Sequence, residues 1–548
     1  MKTFGLIWSL LFAFAICSYG QMPDMSKRFE DFKAQQNQRF DTFKINQQAK
    51  FDAFRKEQNE KYAEFMKNSW EMFDALPPVV PEEEKKVEPV VYVEPKPTEP
   101  KKEEPKVEPK PAEPKKEEPK PAEPKKEEPK VEPKVDPKVE FKKDEPKPEP
   151  KLEDKQITVK KEVIVVPKPQ PKPEPIAPVE PKKELPYKTV SISFYGTLVS
   201  VGFPNNDDLK IKALNEPSLA DAWVHLSQEK YDITLNNVLK VRDNMELCDW
   251  GYINMLQSIS EKQYGKTNEA VLMQAFLLAQ SNYKIRLALG EGKLYLLVAS
   301  EYGIIGMGRY HIDGEYFYAL NCNTKKLSIC KASFDKEKSI SLQLRKEQKL
   351  DNAPTAPRKL TSKFGVVANV AVNKNDIDFF NNYPSAYING NTMTRWVVYA
   401  NTPLSTSVKN NLYPTLKKSI TGLSERDAVN KILNFVQTAF TYEYDNKVWG
   451  GDRTFFAAET LHYPYSDCED RSILFARLVR DLLGANIVLI YYPGHLATAV
   501  AFKEEVNGDY LMYKNRRYTI CDPTYINAPV GRTMPGMDNS EAQVIVLQ

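Results

Sequence analysis

An eleven-residue pattern of aromatic side chains opens the chain. Residues 28–71 divide into four copies, RFEDFKAQQNQ, RFDTFKINQQA, KFDAFRKEQNE and KYAEFMKNSWE, each with two aromatic positions three residues apart. Eleven residues fill three helical turns at ~3.67 residues per turn, so residues 21–76 are predicted to form one continuous helix with a single aromatic stripe. Because a lone helix leaves such a stripe uncovered, we expect self-association; docking on another surface, such as the cell envelope, is the alternative.

The following segment, residues 77–187, has the composition of a spacer. It holds 28 of the 41 prolines, and units such as EPKKEEPK and KVEPKVDPKVE recur in it. Dense proline, mixed charge and few apolar residues cannot build a core, so the segment is predicted to be disordered and biased to polyproline II. The stretch QITVKKEVIVV at 156–166 is the exception, because it has the apolar, β-branched character of a short strand.

Ordinary usage of glycine, aromatic and apolar residues returns after the spacer. The length that remains predicts two α+β domains, residues 188–350 and 351–548. In the second domain, residues 468–483 have helical apolar spacing and end at Gly484. Two apolar strands follow, joined by a Pro-Gly turn, and then two shorter strands that end near residue 521.

The first twenty residues predict export. Lys2 precedes an apolar run over residues 4–16, and Ser18-Tyr19-Gly20 supplies the small residues of a cleavage site, so residues 1–20 are predicted to be a signal peptide. Lipid attachment at Cys17 is the alternative. The mature chain is expected in the periplasm, on the cell surface or in the medium. No other apolar stretch reaches ~20 residues, so we expect no integral membrane span. Basic and acidic residues number 77 and 74, and this balance argues against a nucleic-acid partner.

Cysteine usage points to a reactive thiol. Five cysteines remain after cleavage, and an odd number in an oxidising compartment leaves one to be examined as a nucleophile. Cys468 opens the predicted helix, where the helix dipole favours a thiolate although its acidic neighbours oppose it. His495 begins one strand and Asp522 ends another, and antiparallel neighbours bring such positions side by side. A nucleophile, a base and a group that orients the base are the parts of thiol acyl transfer. No residues have metal-ligand spacing, and no cofactor is expected.

These motifs resemble a known family. D-C-E-D-R before an amphipathic helix, P-G-H-L-A-T-A-V and C-D-P-T-Y occur in order within about residues 425–535. Together they resemble the transglutaminase-like superfamily, of the bacterial secreted type, which has a papain-like core. The resemblance implies that Cys468 is the nucleophile, His495 the general base and then acid, and Asp522 the group that fixes the histidine tautomer. The candidates for the oxyanion hole are Gln437, Tyr442 and Trp449.

The same resemblance implies a function. It predicts an exported cysteine peptidase or amidase that acts on protein or peptide substrates through a thioester, with hydrolysis favoured over cross-linking to an amine. The alternative, from a different class, is a non-catalytic binding or scaffold protein of the cell envelope.

The middle domain resembles a degenerate copy of the last one. Residues 266–298 align without gaps to 468–500, and this register places Lys266 on Cys468 and Lys293 on His495. A further match of LSICKASF to YTICDPTY places Lys331 on Asp522. A domain with three lysines at these positions has no triad and is expected to serve as a scaffold or binding partner. The alternative is an unrelated α+β domain.

Overall fold

A computed structural model describes residues 22–81, 86–93, 153–159, 163–166, 168, 170–180, 185–320, 322 and 325–548. The predicted signal peptide and the central part of the spacer, residues 94–152, lie outside the described residues. The expectations for those two regions therefore stay predictions.

The described residues form a mixed α and β structure, in agreement with the predicted α+β class. The helices are α1 (Met22–Met66), α2 (Glu216–Leu226), α3 (Asp232–Asn244), α4 (Asp249–Tyr264), α5 (Asn268–Gln280), α6 (Lys374–Phe380), α7 (Trp396–Asn401), α8 (Thr406–Ile420), α9 (Glu425–Thr438), α10 (Asp445–Val448), α11 (Ala457–His462) and α12 (Cys468–Leu483). The strands are β1 (Trp70–Asp74), β2 (Lys155–Gln156), β3 (Val163–Val165), β4 (Tyr187–Phe194), β5 (Thr197–Pro204), β6 (Ile285–Gly290), β7 (Lys293–Ala299), β8 (Gly303–Ile304), β9 (Arg309–Ile312), β10 (Glu315–Ala319), β11 (Lys326–Cys330), β12 (Arg358–Thr361), β13 (Val367–Val370), β14 (Ala386–Tyr387), β15 (Thr441–Tyr442), β16 (Tyr465–Ser466), β17 (Asn486–Tyr492), β18 (His495–Ala501), β19 (Asp509–Tyr513), β20 (Arg516–Cys521) and β21 (Gln543–Val546).

The aromatic repeat forms the single helix α1, as its spacing predicts. The aromatic side chains of its first half are exposed, whereas its last turns pack on the globular part. Tyr62 is 2% exposed and its ring stacks 4.4 Å from that of Phe334 and 4.5 Å from that of Trp223. Arg55 forms an ion pair of 2.7 Å with Asp232 on α3. The helix is therefore joined to the middle domain, and its separation from that domain by a spacer is not observed.

The prediction of a helix through residue 76 is wrong at its end. Residues Trp70–Asp74, which begin at the end of the last repeat and continue past it, form β1 and pair antiparallel with β11. An edge strand offers unpaired backbone groups, and those of β11 stabilise the extended conformation here more than the helical pattern stabilises another turn.

The middle sheet has the strand order β1-β11-β6-β7-β10-β9. Its helix α5 and hairpin β6–β7 match α12 and β17–β18, and Asn282 and Gly484 both end the helix with positive φ, 68° and 64°. The predicted match of Lys331 to Asp522 is wrong, because β11 pairs with β6, the first strand of its hairpin, whereas β20 pairs with β18, the second. The two domains share a helix and hairpin but differ in their third strand.

The last sheet, with the order β2-β19-β20-β18-β17-β21-β3, carries the candidate site. Helix α12 packs against β17 and β18. Strands β2 and β3 come from the segment predicted to be a spacer and add to the two edges in parallel. Two short strands thus overlap the stretch 156–166, where one was expected, because Ile157 and Ile164 gain buried positions at open sheet edges. The prediction of disorder is wrong for the described spacer residues 86–93 and 170–180, which form hydrogen bonds with the globular part.

Among the helices in the described ranges, none has both the length and the apolar character needed to cross a bilayer.

Candidate active site

Helix α12 places Cys468 at its first position, in a buried setting. Two neighbours on the same turn fix the helix start to the rest of the domain. Ser472 Oγ donates a hydrogen bond of 2.8 Å to the carbonyl of Leu496 on β18, and the buried Arg471 donates to the carbonyls of Gln437 and Phe440 at 3.2 and 2.9 Å. The thiol is therefore held in a defined position beside the sheet.

His495 and Asp522 meet where β18 begins and β20 ends. The two strands pair antiparallel, and His495 Nε2 lies 2.9 Å from Asp522 Oδ2. The other carboxylate oxygen accepts from the backbone N–H groups of Thr524 and Tyr525 at 2.8 and 3.2 Å, which fixes its orientation. The prediction that adjacent strands bring the histidine and the aspartate side by side is confirmed.

This contact determines the histidine tautomer. An ionised carboxylate only accepts hydrogen bonds, so the ring proton lies on Nε2 and Nδ1 keeps its lone pair. Within the part of the chain that the structure describes, Nδ1 is buried and has no hydrogen-bond partner. His495 is thus arranged to accept a proton at Nδ1.

Cys468 and His495 line one cavity of about 750 Å³. Its wall also includes Trp396 and Tyr399 from α7, together with Arg395 just before that helix. A volume of this size holds a small molecule or a few residues of a peptide. The two residues that the sequence assigns to nucleophile and base therefore line one cavity, but in this structure the Cys468 thiol is hydrogen-bonded to Glu469 and not to His495 Nδ1.

Carboxylates crowd the thiol. Cys468 Sγ donates a hydrogen bond of 3.1 Å to Glu469 Oε2. Burial, followed by the charges of Glu469 and Asp467, raises the pKa of Cys468 well above its ordinary value, and the cation of Lys86 only partly opposes them. Burial and the acidic neighbours together raise the pKa of the thiol more than the helix N-terminus and Lys86 lower it, so the thiol is protonated in this conformation.

Lys86 places its ammonium group among these carboxylates. We call its four partners the acid pocket: Asp445, Asp452, Asp467 and Glu469. The ammonium lies 2.8 Å from Glu469, 3.2 Å from Asp452 and 3.3 Å from Asp445, and it also contacts Asp467. Burial alone would lower the pKa of Lys86, but the carboxylates, Glu469 first, raise it above its ordinary value. Burial would conversely raise the pKa of Glu469, yet Lys86 and three hydrogen bonds lower it to about 2.

The acid pocket also has the spacing of a cation site. Three groups of potential ligands have their donor atoms within 4.8 Å of one another, namely Asp467, Cys468 and Glu469; Asp445, Asp467 and Asp470; and Asp445, Asp452 and Glu469. The sequence spacing did not predict them. The Lys86 ammonium contacts members of all three groups, so the charge that a metal ion would neutralise is neutralised here by a primary ammonium.

The three oxyanion-hole candidates differ in their surroundings. Gln437 is wrong for this role, because its amide donates to the backbone carbonyls of Asp522, Tyr525 and Ala528 at 2.9–3.0 Å and so holds the loop that follows Asp522. Trp449 packs edge-on against Phe455 and Tyr463 and is not among the described residues that line the cavity.

Tyr442 is likewise not among the described residues that line the cavity, but its hydroxyl has two properties expected of an oxyanion donor. Its hydroxyl is buried and, within the described ranges, has no hydrogen-bond partner. Burial, and then the nearby acidic groups Cys468 and Asp467, raise the pKa of Tyr442 and keep the hydroxyl protonated. A protonated hydroxyl without a partner is able to donate to developing negative charge.

Sequence reasoning found the histidine and aspartate contact but missed Lys86. The run Asp467, Glu469 and Asp470 around the cysteine was a usable signal, because buried carboxylates require a cation. The sequence does not show which residue supplies that cation, because Lys86 is one of many lysines in the predicted spacer.

In comparisons with protein-family models, with curated proteins and with solved structures, nothing matches this chain.

Proposed function

We propose that this chain is an exported cysteine acyl-transfer enzyme that acts on peptide or carboxamide bonds through a thioester. One observation carries the proposal: His495, hydrogen-bonded to Asp522 and with a buried Nδ1 that has no partner among the described residues, lines the same cavity as Cys468 at a helix N-terminus. In this proposal the last domain is a transglutaminase-like domain with a papain-like core.

The proposed reaction has two halves. His495 Nδ1 takes the proton of Cys468, and the sulfur attacks the substrate carbonyl carbon. The backbone N–H of Cys468 and the hydroxyl of Tyr442 donate to the oxyanion. His495 then gives its proton to the departing nitrogen, so an amine leaves and a thioester forms. A second nucleophile, deprotonated by His495, attacks the thioester and restores the thiol.

Water is the proposed second nucleophile, which makes the enzyme a peptidase or amidase. The cavity is lined by both aromatic and charged side chains, as a site for peptide groups requires. Transfer to an amine, which would cross-link two proteins, is the alternative outcome of the same thioester.

The test compares two cysteines of one chain. Cys248 also stands at the start of a buried helix, α4, and burial raises its pKa to about 12, but it is not among the described residues that line the cavity with His495. The mature protein is treated with a thiol-reactive electrophile, and labelling is followed by mass spectrometry. We expect Cys468 to react faster than Cys248 and His495→Ala to remove the difference. Equal, slow labelling of both cysteines in the native chain would contradict an activated thiol.

A second candidate function is supported by the occupied acid pocket. A protonated thiol beside a lysine held by four carboxylates is also what a non-catalytic binding protein would have. In that case Cys468 and Cys248 react alike, while binding of a basic ligand persists.

A further inference from the structure

A short segment of the predicted spacer, residues 86–93, lies along the candidate site and forms one isolated β-bridge, between Val91 and Ile526. Val87 N donates a hydrogen bond of 3.0 Å to the carbonyl of Gly494, the residue directly before His495. Further along, Ile526 N donates to the carbonyl of Val90 at 2.9 Å, and Tyr92 N donates to the carbonyl of Ile526 at 2.8 Å. Backbone pairing of this kind is how a protein binds an extended peptide along a strand edge or loop.

The side chains of the segment occupy separate positions. Lys86 enters the acid pocket beside Cys468. Val87, Val90 and Tyr92 pack on a small apolar cluster made by Tyr525, Ala528 and Met534. The Tyr92 ring meets the Tyr525 ring edge-on at 5.6 Å. One end of the segment is thus recognised by charge and the other by apolar contact, with backbone hydrogen bonds between them.

The acid pocket is built for a cation. Three of its members, Asp445, Asp467 and Glu469, are at most 3% exposed. Asp467 Oδ1 is buried and, among the described residues, has no hydrogen-bond partner. Buried carboxylates that are not neutralised are strongly unfavourable. The acid pocket is therefore more stable with an ammonium group or another cation bound than without one.

The docked sequence recurs in the chain. Lys86-Val87-Glu88-Pro89 is repeated at residues 106–109 and 130–133, and a variant with Asp in place of Glu follows at 134–137. These later copies lie outside the described residues. They carry the same lysine, followed by the same valine, an acidic residue and proline, so they offer the acid pocket the same ammonium group.

We propose that the surface around Cys468 is a binding site for extended peptides of the sequence Lys-Val-Glu/Asp-Pro, and that residues 86–93 are the copy bound in this structure. The lysine ammonium is the main determinant, and the repeated copies, on the same chain or on a second one, are alternative ligands. The inference goes beyond the proposed function, because peptide binding requires no reaction at Cys468.

The test measures binding of a free peptide to the mature chain. The ligand is the N-acetylated, fluorescent peptide of residues 86–93, and the matched control peptide carries norleucine in place of the lysine. The protein is a four-lysine variant, in which the four repeated lysines are removed: Lys86→Met, Lys106→Met, Lys130→Met and Lys134→Met. We expect at least tenfold tighter binding than to the native chain, by fluorescence anisotropy, and tenfold weaker binding of the norleucine peptide. Restoring Lys106 alone should weaken binding of the free peptide, because that copy then competes.

Controls separate this inference from the proposed function. Lys67→Met, which removes an exposed lysine paired with Glu64, should bind as the native chain does. Cys468→Ser combined with the four-lysine variant should still bind the peptide. If the four-lysine variant binds the peptide but its Cys468 reacts no faster than Cys248, the proposed function alone is overturned. Equal binding of the lysine and norleucine peptides, or no binding to a folded four-lysine variant, would overturn the inference.

A second measurement uses the native chain, so it remains decisive if the variant does not fold. A carbodiimide joins a carboxylate to a nearby amine as an amide, with loss of the carboxylate oxygen to the reagent. We expect mass spectrometry to find Lys86, Lys106, Lys130 or Lys134 joined to Asp452, the most exposed member of the acid pocket. Excess peptide should reduce these links, and the norleucine peptide should not. Absence of any such link would overturn the proposal.

Discussion

The ammonium of Lys86 lies 2.8 Å from Glu469 Oε1, although 383 residues separate the two along the chain. The other oxygen of the same carboxylate accepts the hydrogen bond of the Cys468 thiol at 3.1 Å. Glu469 therefore joins the docked segment to the candidate nucleophile. A change in what occupies the acid pocket must change how readily the thiol loses its proton.

Removing Lys86, together with the three repeated lysines that could replace it in the acid pocket, should raise the pKa of Cys468. Lys86 is the cation that lowers this pKa, whereas burial and the charges of Glu469 and Asp467 raise it. Among the described residues, the charges of Lys86, Asp467 and Glu469 act on the thiol, Arg471, Tyr442 and Tyr444 also interact with it, and His495 lines the same cavity. We expect the four-lysine variant to show a higher pH midpoint for labelling of Cys468 than the native chain, measured by mass spectrometry across pH. An unchanged midpoint in a folded variant would contradict the role of the ammonium.

Glu469→Gln should have the opposite effect. The substitution removes a negative charge and replaces a carboxylate acceptor of the thiol hydrogen, and both contributions raise the pKa of Cys468 in the native chain. We expect the pH midpoint of Cys468 labelling to fall. Glu443→Gln is the matched control, because Glu443 pairs with Lys447 at the surface. A midpoint that moves equally in both variants would point to a general charge effect.

Asp522→Asn should abolish acyl transfer and spare the fold. The amide oxygen can still accept from the N–H groups of Thr524 and Tyr525, but the amide nitrogen donates toward His495 Nε2 and shifts the ring proton to Nδ1. The histidine then presents a donor where the reaction requires a base. By analogy with the aspartate of serine-protease triads, we expect a loss of roughly 10³- to 10⁴-fold in the rate of labelling by a substrate-like electrophile. Thermal unfolding should change little, and retained reactivity would exclude Asp522 from the mechanism.

Helix α12 and its hairpin show how much of the site local sequence predicts. Apolar spacing, the glycine stop at Gly484 and the Pro-Gly turn depend on neighbours in the chain, and the structure has the helix, both strands and the contact of His495 with Asp522 where these signals place them. The acid pocket could not be predicted in the same way. Its cation comes from a distant segment, and no local pattern distinguishes Lys86 from the other lysines around it.

The same limit explains the errors in the fold. Trp70–Asp74 follows the helical repeat, yet its conformation is decided by pairing with β11. The segment after residue 152 looks disordered from its composition, yet two short runs in it complete the edges of a sheet. In each case an open strand edge supplies hydrogen bonds that the sequence of the segment itself does not reveal.

Glu459 predicts a pH dependence of stability. This buried residue lies in the cavity wall, 2.8 Å from Arg453, and accepts a hydrogen bond of 3.0 Å from Phe456 N. Burial raises the pKa of Glu459 to about 7 despite the nearby cation. The unfolded chain releases this proton near its ordinary pKa of 4.5, so the native state binds one more proton between there and about pH 7. The free energy of unfolding should therefore fall as pH rises through this window, by about 3 kcal/mol.

Glu459→Gln isolates that contribution. The amide oxygen keeps the hydrogen bond from Phe456 N and no longer titrates. We expect the native chain to lose stability relative to the variant between pH 4.5 and 7.5, measured by urea unfolding at both values. A difference that does not depend on pH would show that Glu459 is ionised throughout.

The first half of α1 predicts self-association. Phe29, Phe32, Phe40 and Phe43 are 57–64% exposed, whereas Tyr62 on the same helix is buried against the middle domain. Burying a phenylalanine side chain contributes ~1.5–3 kcal/mol, so two copies of the helix gain most by covering one another's stripe. We expect the mature chain to sediment as an oligomer in analytical ultracentrifugation and a variant with these four residues replaced by Gln to sediment as a monomer. Full chains are compared because truncation before residue 188 would also remove Tyr62, β1 and the docked segment. If both proteins are monomers, the stripe does not mediate self-association, and docking on the cell envelope or on another protein is the remaining explanation.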